Sequence, residues 1–242
     1  MFKTARNVLL TLAVASSLNA AGTLSQNEVN SIQNLNLFKN AQIKVTKGYD
    51  VGSLYLLDIQ VQGKTDEIYL TKDKKYLLTG DAIDTTSGAK LTVPADMTGV
   101  IGNEAFTYGT GSDEYVLFTD PECPYCKKFE SYFPQIKDKV KIRVFYYPLD
   151  FHKNAKDISL YVMSLDSKAK KEQAMLNTDK NTPAFKNRKI SKSDLAKLEK
   201  HLDKQMEVAN KLKVRGTPAV FDKEGNKVVW PEMLAKYGIQ VK

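Results

Sequence analysis

Only two cysteines occur in the 242 residues, and they stand three apart. They lie in the run Asp120-Pro121-Glu122-Cys123-Pro124-Tyr125-Cys126-Lys127-Lys128. The apolar residues Tyr115, Val116, Leu117 and Phe118 lead into it, and Phe129, Phe133 and Ile136 follow at near-helical spacing. A strand is therefore predicted to end at Asp120 and a helix to begin near Cys123. The first turn of a helix has unpaired backbone N–H groups and a partial positive charge. A thiolate at Cys123 would be stabilised there. Pro124 suits the first helical position, because its missing N–H would have had no partner. Cys126 falls about one turn later, so the two sulfurs can cycle between dithiol and disulfide. Cys123 is expected to be the exposed attacking thiol and Cys126 the more buried resolving one. Glu122 should disfavour a thiolate at Cys123, and Lys127 and Lys128 should favour it.

Two other chemistries share this spacing. A zinc site needs two further ligands at usable positions, and the only histidines, His152 and His201, are isolated in the sequence. No metal is expected. A purely structural disulfide would close too short a loop to remove much chain entropy.

The N-terminus reads as an export signal over residues 1–20. Lys3 and Arg6 precede the apolar residues 8–15, and small and polar residues follow to Ala21. The apolar stretch is too short to span a bilayer. Export would place the cysteine pair in an oxidising compartment, where a lone Cys-x-x-Cys points to disulfide handling. Lys and Arg total 36 against 28 Asp and Glu. The lysines are scattered, with no arginine-rich tract or aromatic platform, so a solvated basic surface is expected and no nucleic-acid partner.

Along the rest of the chain, residues 24–40 suggest a short amphipathic helix, and residues 41–47, 54–61 and 67–78 suggest strands ending in a hairpin. Residues 21–85 would then be a small α+β unit, a helix on an antiparallel sheet. Residues 86–112, punctuated by Gly88, Pro94, Gly99, Gly102, Gly109 and Gly111, read as a linker. Residues 113–242 carry strand, cysteine helix and strand, with Pro134 expected to kink the helix. A lysine-rich helical insertion follows at 153–212. Its last helix carries the stripe Leu195, Leu198, Leu202, Met206, Ala209 and Leu212. Gly216-Thr217-Pro218 then opens a hairpin through Asp222-Lys223-Glu224-Gly225-Asn226, and residues 231–238 suggest a closing helix.

This succession resembles the α/β thioredoxin fold with a helical insertion. The whole chain resembles the periplasmic disulfide isomerases of the DsbC and DsbG type, on the residues Phe118-Thr119-Asp120, Cys123-Pro124-Tyr125-Cys126, Thr217-Pro218 and the hairpin residues 68–80. The resemblance implies an N-terminal cystatin-like dimerisation domain and a periplasmic homodimer. It implies catalysis by Cys123 and Cys126, tuned by Pro124 and Tyr125. It implies a cis proline at Pro218 opposite the cysteines, with Thr217 and Pro218 docking the substrate as an added strand. No cofactor beyond the redox-active Cys123–Cys126 disulfide is implied. The implied partners are unfolded or misoxidised exported proteins and a membrane-bound thiol donor. The family joins its domains by an amphipathic helix, whereas here glycine and proline break the linker.

Four activities remain open at this point. They are isomerisation or reduction of wrong disulfides, net oxidation, reduction of sulfenic acids, and a non-catalytic holdase role with incidental cysteines.

Overall fold

The computed structural model describes residues 22–85, 88 and 90–241. The expected export signal, residues 1–20, lies outside the described residues. The chain divides into two compact units at Gly80 and Asp81.

The first unit contains β1 (Gly22–Thr23), α1 (Gln26–Gln33), α2 (Asn36–Asn40), β2 (Lys44–Asp50), β3 (Leu54–Val61), β4 (Lys64–Thr71) and β5 (Leu77–Leu78). The strands form one antiparallel sheet in chain order. Residues 24–40 form two helices rather than one. Leu35 is extended, at φ −63° and ψ 142°, and starts the second. Ser25 caps α1 by accepting from the Glu28 N–H at 3.3 Å. Gln33 closes its far end by donating to the Ile43 carbonyl and accepting from the Val45 N–H. Ile32 and Phe38 are thereby buried on Val45, Leu57, Ile59, Ile68 and Leu70. The tight β3–β4 connection, Gln62-Gly63, has positive φ at both residues, 49° and 78°. That geometry matches the right-handed twist of the flanking strands.

The second unit contains β6 (Phe106–Tyr108), β7 (Asp113–Thr119), α3 (Pro124–Glu130), β8 (Val140–Tyr146), α4 (Ala155–Ser164), α5 (Lys168–Asn177), α6 (Pro183–Lys186), α7 (Lys192–Lys211), β9 (Ala219–Asp222), β10 (Lys227–Val228) and α8 (Trp230–Lys236). Its sheet order is β10-β9-β7-β8-β6. β7 and β8 are parallel, joined by the α3 crossover, and β9 runs antiparallel to β7. After α3 the chain continues as a 3-10 turn at Phe133–Gln135, consistent with the N–H that Pro134 lacks.

The stretch read as a linker, 86–112, is in good part core of this unit. Val100 is buried among Val116, Phe118 and Phe221. The Ala105 N–H bonds the Val144 carbonyl, and β6 pairs antiparallel with β8. The glycines punctuate turns at a packed sheet edge. Gly109, at φ 79°, shows why: a Cβ there would meet the Val140 carbonyl oxygen at 2.2 Å.

Of the stripe expected on α7, Leu202, Ala209 and Leu212 are buried, whereas Leu195 is 36% exposed. The helix also buries Gln205, whose Oε1 accepts the Tyr146 N–H at 2.7 Å. No helix among the described residues is long and apolar enough to cross a membrane.

Candidate active site around Cys123 and Cys126

β7 is buried along its C-terminal half and delivers the chain to a tight turn at Asp120. Cys123 is the N-cap of α3, with extended backbone (φ −75°, ψ 120°), and Pro124 begins the helix. Both features follow from the local sequence: proline presets the helical φ, and Phe129 and Phe133 bury the inner face of the turn. Phe129 packs between Phe133, edge to face, and Trp230, tilted, with ring centroids 4.9 and 5.2 Å away.

Cys123 is less open than expected. It is 5% exposed and Cys126 is 0% exposed. The cover comes from the turn before β9. The Cys123 Sγ lies 3.5 Å from the Thr217 carbonyl oxygen, and the Thr217–Pro218 peptide is cis. The fold thus brings Cys123, Cys126, Thr217 and Pro218 together from positions about 90 residues apart. Tyr125 projects outward at 69% exposed.

Beneath the pair lies a buried polar group that sequence reasoning missed. Burial pushes the Cys126 thiol up, and the Glu130 carboxylate adds to the shift, while the Thr119 hydroxyl pulls the other way. Burial likewise pushes the Glu130 carboxyl up to about 7, and the Lys127 charge only partly opposes it. Thr119 Oγ1 donates to Glu130 Oε1 at 2.5 Å. Among the described residues, Glu130 Oε2 has no hydrogen-bond partner, and Lys127 Nζ is 3.7 Å from it. The Tyr146 hydroxyl is also buried and has no partner among the described residues. The signal for Glu130 was available: it sits four residues after Cys126 on a helix, hence on the same face.

Of the charges flanking the cysteines, Glu122 and Lys127 are engaged elsewhere, and Lys128 is exposed. Glu122 accepts from the Asn154 backbone N–H at 2.6 Å and from Asn154 Nδ2 at 2.8 Å. Burial opposes ionisation of Glu122, but these two bonds hold its carboxyl below the usual range. Lys127 Nζ donates to the Met175 carbonyl at 2.7 Å. Asp120 is fully buried and accepts from the Glu122 and Leu149 N–H groups, each at 2.7 Å. Among the described residues, no group of three or more His, Cys, Asp and Glu is placed to hold a metal ion. His152 sits on Asp120, and His201 on the Asn103 carbonyl.

Residues 109–233, just over half of the chain, match the family model of the thioredoxin-like domain. No curated protein matches the chain. Among solved structures, it is similar to a putative protein-disulfide isomerase from Pseudomonas syringae, at 15% identity and TM-score 0.42 over 55% of this chain and 95% of that one. It is similar to the catalytic domain of ScsC from Proteus mirabilis, at 20% identity and TM-score 0.37 over 56% and 89%. It is similar to BdbD from Bacillus subtilis, at 17% identity and TM-score 0.42 over 60% and 94%. With the match spanning β7 through most of α8, the cysteine pair included, the chain belongs to the thioredoxin-like domain family.

Proposed function

We propose that this protein is an exported thiol–disulfide oxidoreductase that isomerises or reduces wrong disulfides in exported polypeptides. One observation supports this above all. Cys123 caps a helix N-terminus with its sulfur against the Thr217 carbonyl, and a second thiol lies buried one turn behind it.

The chemistry balances without a cofactor. The Cys123 thiolate attacks one sulfur of a substrate disulfide. A Cys123–substrate S–S bond forms, the old S–S bond breaks, and the other substrate sulfur leaves as a thiolate. In isomerisation, a substrate thiolate then displaces Cys123. In reduction, Cys126 attacks Cys123, the Cys123–Cys126 disulfide forms, and the substrate leaves with both its sulfurs reduced. Cys126 must lose a proton to attack; the Thr119 hydroxyl bonds both to its sulfur and to Glu130, whose carboxyl is pushed up to about 7, and would pass that proton to Glu130. The Thr217 backbone would pair with the bound polypeptide as an added strand. Pro124 and Tyr125 would tune the reduction potential.

The resemblance to the DsbC and DsbG type supports a periplasmic homodimer kept reduced by a membrane-bound thiol donor, with the first unit as the dimerising element. The test is the rate of refolding of scrambled ribonuclease beside the rate of insulin reduction, with sedimentation on the same sample. An isomerase refolds ribonuclease and sediments as a dimer. A protein that merely oxidises reduced ribonuclease, and is recovered from cells with its cysteines disulfide-bonded, is a net oxidase instead.

A further inference from the structure

A cleft of about 300 Å³ lies on the β9–β10 side of the second unit, floored by Val220 and Val228 and rimmed by Lys90, Lys213, Arg215 and Lys227. Lys90 pairs with Asp81 at 2.6 Å. Among the described residues, the other three cations have no carboxylate partner. The nearby anions of the β9–β10 hairpin are already engaged. Asp222 accepts from Glu224 and Asn226, and Glu224 faces Lys223. Among the described residues, Lys213, Arg215 and Lys227 thus leave three positive charges without a carboxylate beside an apolar floor.

Lys213 is held there against its backbone preference. The C-terminus of α7 closes with Val214 N–H to the Ala209 carbonyl at 2.9 Å and Lys213 N–H to the Asn210 carbonyl at 3.0 Å. This is the helix-ending motif whose left-handed position normally takes glycine. Lys213 occupies that position at φ 55°. Such an outlier is a reason to look for a role.

The chain that lines the cleft at residues 213–215 and 219–221 also carries Thr217 between them. Arg215 precedes Thr217 by two residues, and the Thr217 carbonyl touches Cys123 Sγ. An extended chain advances about 3.3 Å per residue. Side chains a few residues from a cysteine bound at Cys123 thus reach the rim. We propose that the cleft is a specificity subsite that receives acidic side chains of the extended polypeptide whose disulfide Cys123 attacks. This rests on the exchange chemistry proposed above and adds the class of substrate sequence that it prefers.

The probes are two synthetic peptides with one central cysteine held as a mixed disulfide with glutathione, identical except for paired glutamates or paired lysines on both flanks. They are reacted with the reduced full-length protein, and release of glutathione is followed. The glutamate peptide should react faster by roughly tenfold, the scale of a few exposed charge pairs. The advantage should shrink toward one at 1 M salt. Arg215→Glu combined with Lys227→Glu should reverse the preference. Lys213→Gly should lower the preference while raising the thermal midpoint, which a merely structural lysine would not do. Equal rates for the two peptides, at low salt and in the charge-reversed variant alike, would overturn the subsite and leave the exchange chemistry standing. If the variant lost only binding to anionic lipid vesicles, the subsite would fall in the same way. If neither peptide reacted, the subsite and the exchange chemistry would fall together.

Discussion

His152 Nδ1 lies 2.9 Å from Oδ2 of Asp120, a carboxylate with no exposed surface three residues before Cys123. The same oxygen accepts the Leu149 N–H, and two residues on, Glu122 is held by Asn154. The entry to α4 is thus bonded to the residues on the N-terminal flank of Cys123. Neither histidine reads as functional by spacing alone, since the bond joins positions 32 residues apart.

Removing that imidazole leaves a buried carboxylate short of a partner. His152→Ala should therefore destabilise the protein by about 1–3 kcal/mol. The drop would appear as a lower urea midpoint with an unchanged slope. An unchanged midpoint would mean that the bond contributes nothing net.

Glu130 should make stability fall as pH rises. Its carboxyl is raised from 4.5 to about 7 in the folded protein. The native state therefore binds more protons than the unfolded chain between these values, and stability falls with pH across that window. The neutral acid's contribution is complete below about pH 4.5 and is lost as pH rises through about 7. The loss should amount to roughly 3 kcal/mol. Urea unfolding at pH 5 and pH 8 should show it in the wild type and not in Glu130→Gln. The same substitution should slow resolution of a mixed disulfide by Cys126.

Phe129 fixes the helix that carries both cysteines. It is 1% exposed and wedged between Phe133 and Trp230. Phe129→Ala should cost about 3–5 kcal/mol. Chemical denaturation measures this directly, and a loss below about 1 kcal/mol would mean that the rings repack around the gap.

Gly109 tests whether the stretch that reads as a linker is structural. Its φ of 79°, and the carbonyl lying where a Cβ would go, leave no room for alanine. Gly109→Ala should destabilise the second unit by at least about 1 kcal/mol. A substitution in a free linker would leave the unfolding curve unchanged.

The elements around the cysteines were legible because each is encoded locally. β7 carries the apolar run 115–118, Pro124 marks the start of α3, and the Asp222-Asn226 turn sits between two short apolar runs. What was not legible depends on distant pairing. β6 lies among glycines, and only its pairing with β8 makes it a strand. Residues 24–40 show near-helical periodicity, but Gln33 turns to cap the sheet and the helix breaks at Leu35. Cys123 reads as exposed from its helix end, yet the Thr217 carbonyl arrives from far along the chain to cover it. Of the buried polar groups, Glu130 shares the helical face of Cys126 and could have been found. Gln205, which serves the Tyr146 N–H, sits in an apolar stripe and gives no such sign.

The most direct measurement mixes the reduced Cys126→Ala variant with scrambled ribonuclease, quenches with acid and maps the adduct by mass spectrometry. A covalent complex through Cys123 should accumulate, and Cys123→Ala should form none and refold no ribonuclease above background. Ribonuclease refolding at the wild-type rate by Cys123→Ala would show that the sulfur beside Thr217 is not where the exchange takes place.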